Sequence, residues 1–276
     1  MKKILLVMSI LAMAFVSCSK DEVENPAPKY DLVVNMDKPS FGDDTRAVRT
    51  SWENGDVVYV VFDGDLYDGA TAAKYLTLTY NNSSWTPTWV GTNIDEVAAK
   101  TTKTLRALYV NTPVTPDFWN GDGQQFLTCD STTKGVYVMK CDNGTYTVSD
   151  STITLNIALD HECSQITVRG IDVAGNWTLS CNELQAIWGG SFQNNDYVVI
   201  SATNFNDSLT GFANADGVSF YAYYPGIESP ANLTFTLSNG TKTYTRSFAR
   251  PGGIKDGNAI IMDGPDSGKW TEVVEE

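Results

Sequence analysis

The sequence predicts an all-β protein built from two β-sandwiches in tandem, and three observations point there. Short apolar or alternating runs of strand length recur along the chain, separated by turns containing Gly, Asn and Pro. No helical pattern is long enough to act as a repeated crossover, which favours sandwiches over a parallel sheet. Two segments echo each other: Leu108-Tyr109 running to Pro113, and Phe220-Tyr221 running to Pro225, with an Asn-Gly pair in each half. This weak repeat places a boundary near residue 150. The expected division is therefore 30–150 and 151–264, with a polar tail over 265–276.

In chain order, Tyr30 to Met36 alternates, with Tyr30, Leu32, Val34 and Met36 on one face, and predicts a half-buried strand. Thr50-Ser51-Trp52-Glu53-Asn54-Gly55-Asp56 is turn chemistry leading into Val57 to Phe62. Those six apolar residues, four of them Val, favour a buried strand because β-branched side chains pack well on a pleated surface. Lys74 to Tyr80 alternates, Asn81 to Ser84 turns, and Trp85 to Val90 returns as an edge strand, since Pro87 cannot donate to an inner ladder. Asp95 to Lys100 suits one or two helical turns, and Thr104 to Val110 a strand. Thr115 to Gln124 reads as a long loop with Phe118 and Trp119 near its tip. Gly135 to Asp142 and Thr145 to Ser149 flank Asn143-Gly144, a strong hairpin signal.

Ser151 to Leu159 and Ile166 to Val173 follow as strands, and Asn182 to Trp188 as a short helix. Tyr197 to Ala202 and Val218 to Tyr224 are further strands. Leu233 to Ser238 and Thr241 to Phe248 form a second hairpin about Asn239-Gly240. Ala259 to Met262 is a last short strand.

Composition removes several function classes. The net charge is −14, which makes nucleic acid a poor partner, because phosphates require Lys and Arg. The four cysteines beyond Cys18 are Cys129, Cys141, Cys163 and Cys181. Outside the cytoplasm these could pair locally as Cys129–Cys141 and Cys163–Cys181, or remain four buried thiols. No CxxC spacing occurs and the single His is His161, so no metal site or cofactor is expected.

The N-terminus reads as an address. Lys2 and Lys3 precede an apolar run from Ile4 to Val16, too short for a comfortable span, which needs about 20 residues. Phe15-Val16-Ser17-Cys18 resembles the lipobox of bacterial lipoproteins. That likeness implies removal of residues 1–17 and acylation of Cys18, with lipid chains giving stable membrane anchoring. Residues 18–29 contain Pro26 and Pro28 among charged residues and form a tether. Ser19-Lys20-Asp21-Glu22 resembles the acidic signal that sends Bacteroidetes-type lipoproteins to the outer face of the outer membrane.

Several stretches together resemble the Bacteroidetes-type fimbrillin family. Trp52-Glu53-Asn54-Gly55-Asp56 before an apolar strand resembles its W-x-x-G-D opening. Ala107 to Val110, the run from Leu159-Asp160-His161 to Ile166, Phe220 to Pro225 and Lys255 to Asn258 resemble its later strand entries. Gln165 departs from the commoner Lys. The resemblance implies two transthyretin-like, Greek-key β-sandwich domains and surface display. It also implies a role as fimbrial subunit or adhesin, with other subunits, further copies of the chain or surface ligands as partners. It further implies cleavage by a trypsin-like protease at an N-terminal arginine, for which Arg46 and Arg49 are the candidates. The first strand then leaves, and its groove accepts a strand from a neighbour by main-chain pairing.

Enzyme readings find little footing. The chain lacks G-x-S-x-G, H-E-x-x-H and P-loop motifs. His161 precedes a strand and reads as a structural hydrogen-bonding residue. Asp43-Asp44 and Asp63/Asp65 sit in turns, and Asp63 to Gly69 lacks the ligand spacing and closing Glu of an EF-hand. The alternative from another class is a glycan-binding surface lipoprotein of a polysaccharide-capture system. In that reading loop aromatics such as Trp85, Trp89, Phe118 and Trp119 stack on sugars.

Overall fold

The structure is a computed structural model. It describes residues 29–42, 51–63, 74–111, 114–118, 125–129, 136–181, 184–192, 198–204, 208–223, 231–250 and 256–274. Almost all of the regular structure in these residues is β. The first part holds β1 (Asp31–Asp37), β2 (Val57–Phe62), β3 (Tyr75–Asn81), β4 (Ser84–Val90), the short helix α1 (Ile94–Ala99) and β5 (Thr104–Val110). Next come β6 (Val114–Phe118), β7 (Gln125–Cys129), β8 (Val138–Val148), β9 (Thr152–Ala158) and β10 (Asp160–His161). The second part holds β11 (Ser164–Arg169), β12 (Thr178–Cys181), β13 (Gln185–Phe192), β14 (Val198–Asn204), β15 (Leu209–Thr210) and β16 (Phe212–Asn214). It continues through β17 (Gly217–Ala222), β18 (Ala231–Ser238), β19 (Thr243–Arg250), β20 (Ala259–Asp263) and β21 (Thr271–Val273).

Two hydrophobic cores organise these strands. The first lies under the sheet β1-β9-β8-β5-β2-β3-β4, with β10 appended to β8. β2 runs between β3 and β5, and Val58, Val60, Val61 and Phe62 are fully buried, which is why its sequence is apolar without alternation. The facing sheet is β14-β13-β7-β6, which contributes Ile187 and Phe192 to the same core. The second core fills the space between β16-β17-β11-β20 and β15-β12-β18-β19-β21. Ile166, Val168, Phe220 and Ile260 from one sheet meet Leu179, Phe235 and Leu237 from the other.

The cores do not divide at residue 150. β9 lies between β1 and β8, and β13 pairs with β7, so the first core draws on residues from both sides of that point. The sheets are also mixed: β1 runs parallel to β9, and β11 parallel to β20.

Other expectations shift for local reasons. β8 runs straight through Asn143-Gly144, so no hairpin forms there. Gly144 pairs with Leu105, Cys141 with Ala107, and the register slips between them as a bulge. A Cβ at Gly144 would stand 2.3 Å from Leu105 Cδ1, so this glycine serves close packing rather than a turn. Asn182 to Trp188, read as a helix, runs into β13. Ala186 and Ile187 are both buried, in different cores, and that two-sided burial erases the alternation that marks a strand. The long loop over 115–124 begins as β6, which pairs with β7. The polar tail returns to the fold, with Trp270 buried in the second core and β21 paired to β19. The Asn239-Gly240 hairpin forms, with Ser238 opposite Thr243 across a four-residue loop.

Candidate functional site: the first strand and the cage at its end

β1 is the edge of the first sheet, and its parallel ladder runs from Asp31 opposite Thr152 to Asp37 opposite Ala158. The alternation in its sequence appears directly in its burial. Leu32, Val34 and Met36 pack against the core, while Asp31, Val33, Asn35 and Asp37 are exposed. Outside the ladder, Asn35 Nδ2 donates to Asn156 Oδ1 at 3.0 Å, and Asp31 N to Ser151 O at 2.8 Å. A hollow of about 550 Å³ opens along the C-terminal half, lined among others by Val34, Met36, Ile157 and Leu159.

The inward face does not end at Met36. Two residues on, Lys38 continues the same phase and is almost fully buried. Its Nζ donates to Asp56 Oδ2 at 2.8 Å and to Tyr109 OH at 3.3 Å. The same nitrogen lies 4.8 Å from the ring centres of Trp52 and Tyr109 and 6.0 Å from that of Tyr137. At these distances the ring faces attract a cation. Asp56 is satisfied from three sides, since Tyr109 OH donates to Oδ1 at 2.8 Å and the Glu53 amide to Oδ2 at 2.9 Å. Burial first, and then the Asp56 charge, push the Tyr109 phenol far above its ordinary range, so it remains a neutral donor.

The Trp52–Asp56 stretch builds this cage. Gly55 adopts φ +94, a left-handed conformation open to Gly at low cost. The tight turn lets Gly55 N reach Tyr80 O at 2.9 Å, while Asn54 Oδ1 accepts from Asn82 N at 2.9 Å. The turn is thereby fastened to the β3–β4 hairpin. Trp52 Nε1 donates to Met36 O at 3.3 Å, reaching back onto the first strand. The motif read from the sequence as a turn into a buried strand is thus also the clamp on β1. Sequence reasoning passed over Lys38; the usable signal was a Lys on the apolar phase of an alternating strand.

Past Lys38, Pro39 ends the ladder, and Phe41 is buried between the two parts of the molecule. It stacks on His161 at 3.8 Å and lies 5.0 Å from Tyr137 and 5.8 Å from Tyr221. His161 is structural, but by stacking. Neither ring nitrogen reaches hydrogen-bond geometry, although the backbone of Ser40 and Pro39 lies close enough to favour the charged ring. Burial outweighs that influence and lowers the imidazole pKa.

The remaining sequence-predicted residues fall as follows. Cys18, Arg46, Arg49, Asp43-Asp44, Asp65 and Trp119 lie outside the described residues, as do the side chains of Cys129 and Phe118. Cys141 and Cys163 carry free buried thiols, so neither expected local disulfide is formed. Cys163 belongs to the first core and Cys181 to the second, which separates that pair. Trp85 meets Trp52 edge-on at 4.9 Å, and Trp89 stacks on Phe62 at 5.8 Å. Both rings are half-buried and pack against the first core. Asp63 lies 3.5 Å from Arg106 as an ion pair.

Among solved structures, a candidate cell-adhesion protein from Bacteroides ovatus is similar over 90% of this chain and 96% of its own, at 17% identity and a TM-score of 0.48. A fimbrial protein from the same species is similar over 86% of this chain at 12% identity and a TM-score of 0.44; the match spans 49% of that longer protein. A candidate cell-adhesion protein from Bacteroides uniformis covers 86% of this chain and 93% of its own, at 12% identity and a TM-score of 0.43. No family model matches the chain, and no curated protein matches it.

Proposed function

We propose that this protein is a surface-exposed lipoprotein, anchored through an acylated Cys18 in the outer membrane, that acts as a fimbrial subunit or adhesin. It assembles by β-strand addition. Cleavage after Arg46 or Arg49 separates residues 30–42 from the rest of the chain, and a strand from another subunit takes the place of β1. The carrying observation is that β1 is an edge strand with one apolar face, and both arginines follow it before the next described strand. Such a strand is joined to its sheet by one ladder, and an incoming strand can reproduce that ladder with main-chain atoms alone.

The test is to recover the protein from the cell surface, map its N-terminus by mass spectrometry and run it with and without heating. A new N-terminus at Ala47 or Thr50 in a heat-labile polymer is the expected result. Recovery of only the acylated, uncut monomer overturns the assembly mechanism.

A further inference from the structure

We propose that the cage around Lys38 reads charge in the strand that replaces β1, and that it selects a partner other than this chain. The inference rests on the strand-replacement reading above and adds the chemistry of the occupant. When β1 departs, Leu32, Val34, Met36 and Lys38 leave together, because all four lie on its inward phase. Three apolar sites can be refilled by almost any alternating strand. The fourth cannot. It retains the Asp56 carboxylate, the Tyr109 hydroxyl and the ring faces of Trp52, Tyr109 and Tyr137, all arranged about a point where Nζ stood.

An apolar side chain at that point would bury the carboxylate without its cation, and a carboxylate would add like-charge repulsion. Leaving a buried charge without its partner is among the costlier changes at an interface. The fitting occupant is a strand with large apolar residues at i, i+2 and i+4 and a lysine at i+6. Within this sequence only Leu32, Val34, Met36 and Lys38 satisfy that spacing, and no other lysine follows three large apolar residues in the same phase. Once that segment has been cut away, no other stretch of this sequence offers the pattern. The occupant is therefore a strand of a different protein bearing the pattern.

The full chain, nicked at Arg46 or Arg49 with a trypsin-like protease, is incubated with fluorescent peptides of residues 30–42, which keep the buried Phe41. One peptide has the native sequence, one carries Lys38→Met and one is scrambled. The native peptide is expected to displace the resident segment and bind at least about tenfold more tightly than the Lys38→Met peptide. In nicked Asp56→Asn protein that preference should shrink to within about twofold. Equal binding of the native and Lys38→Met peptides overturns charge reading while leaving strand replacement intact, and it needs no variant of the protein to fold. A preference that persists in Asp56→Asn overturns the assignment to this cage. Polymerisation of the nicked chain alone overturns the claim of a foreign partner. If no peptide displaces the resident segment, strand replacement itself fails, and the inference with it.

Discussion

Lys38 shows how much one side chain can fix. Its ammonium is held by one carboxylate, one phenol and three ring faces, and its side chain is 2% exposed. Truncating one partner of such a pair leaves the other as an uncompensated buried charge. Lys38→Met is therefore expected to destabilise the full chain by about 3–5 kcal/mol in urea unfolding. Adding Asp56→Asn to the same molecule should restore more than half of that loss, because the stranded charge is then gone. A loss confined to a few tenths would mean that the cage is solvated and the pair weak. The same residue explains why β1 would not drift away after a backbone cut. Release would forfeit this ion pair and the burial of Met36 and Phe41, each apolar side chain worth about 1.5–3 kcal/mol when fully buried. Exchange against an incoming strand restores those contacts, whereas simple loss does not.

At the scale of elements, β8 carries the clearest lesson about register. Its bulge opposite β5 depends on a glycine over which Leu105 folds. Gly144→Ala is expected to lower stability by about 1–3 kcal/mol through overpacking, read as a drop in the thermal midpoint. Leu105→Val in the same chain should return part of it. Where each strand buries one face or is wholly enclosed, the sequence was readable: β2 and β5 fall on the expected residues, and Pro87 sits in the edge strand β4. Reading failed where tertiary pairing outvoted local chemistry. Asn143-Gly144 has hairpin composition, yet β5 lies alongside and keeps the chain extended. Leu184, Ile187 and Trp188 have helical spacing, yet β14 pairs with the chain from Gln185 onward and holds it as a strand. The cage was half visible. Its Trp, Gly and Asp form a legible motif, while Lys38 lies past Met36, where the apolar alternation stops.

The whole molecule is joined where the two cores meet, and that junction titrates. Glu162 donates its amide to Val138 O, and its carboxylate lies 3.3 Å from Lys140 Nζ. Burial pushes the Glu162 carboxyl up from about 4.5 to about 7; Lys140 pulls it down and Asp256 pushes it further up. The folded chain thus holds a proton that the unfolded chain releases. This stabilisation is complete below about pH 4.5 and is lost as pH rises through about 7. His161 works the other way: its lowered pKa supplies stability above about 6.5 that is lost as pH falls. Glu162→Gln should remove the first contribution, raising stability at pH 8 by up to about 3 kcal/mol relative to the native chain. The two proteins should converge near pH 4.5, and the variant alone should weaken steadily from pH 7 to 5 in thermal melts. Parallel pH profiles for the two proteins would show that Glu162 is solvated in both states.

The parallel ladder between β1 and β9 also has a kinetic side. Asn35 and Asn156, which meet across it, are 121 residues apart in the chain. Closing so long a loop costs more entropy than forming neighbouring hairpins such as β3–β4, and non-local pairings of this kind form slowly. The first strand is therefore expected to dock late in folding, its place standing open until then. A competing segment present in that interval meets an open berth rather than a resident to evict. Beside the proposed cut, the order of folding thus offers a second moment at which a partner strand can be chosen.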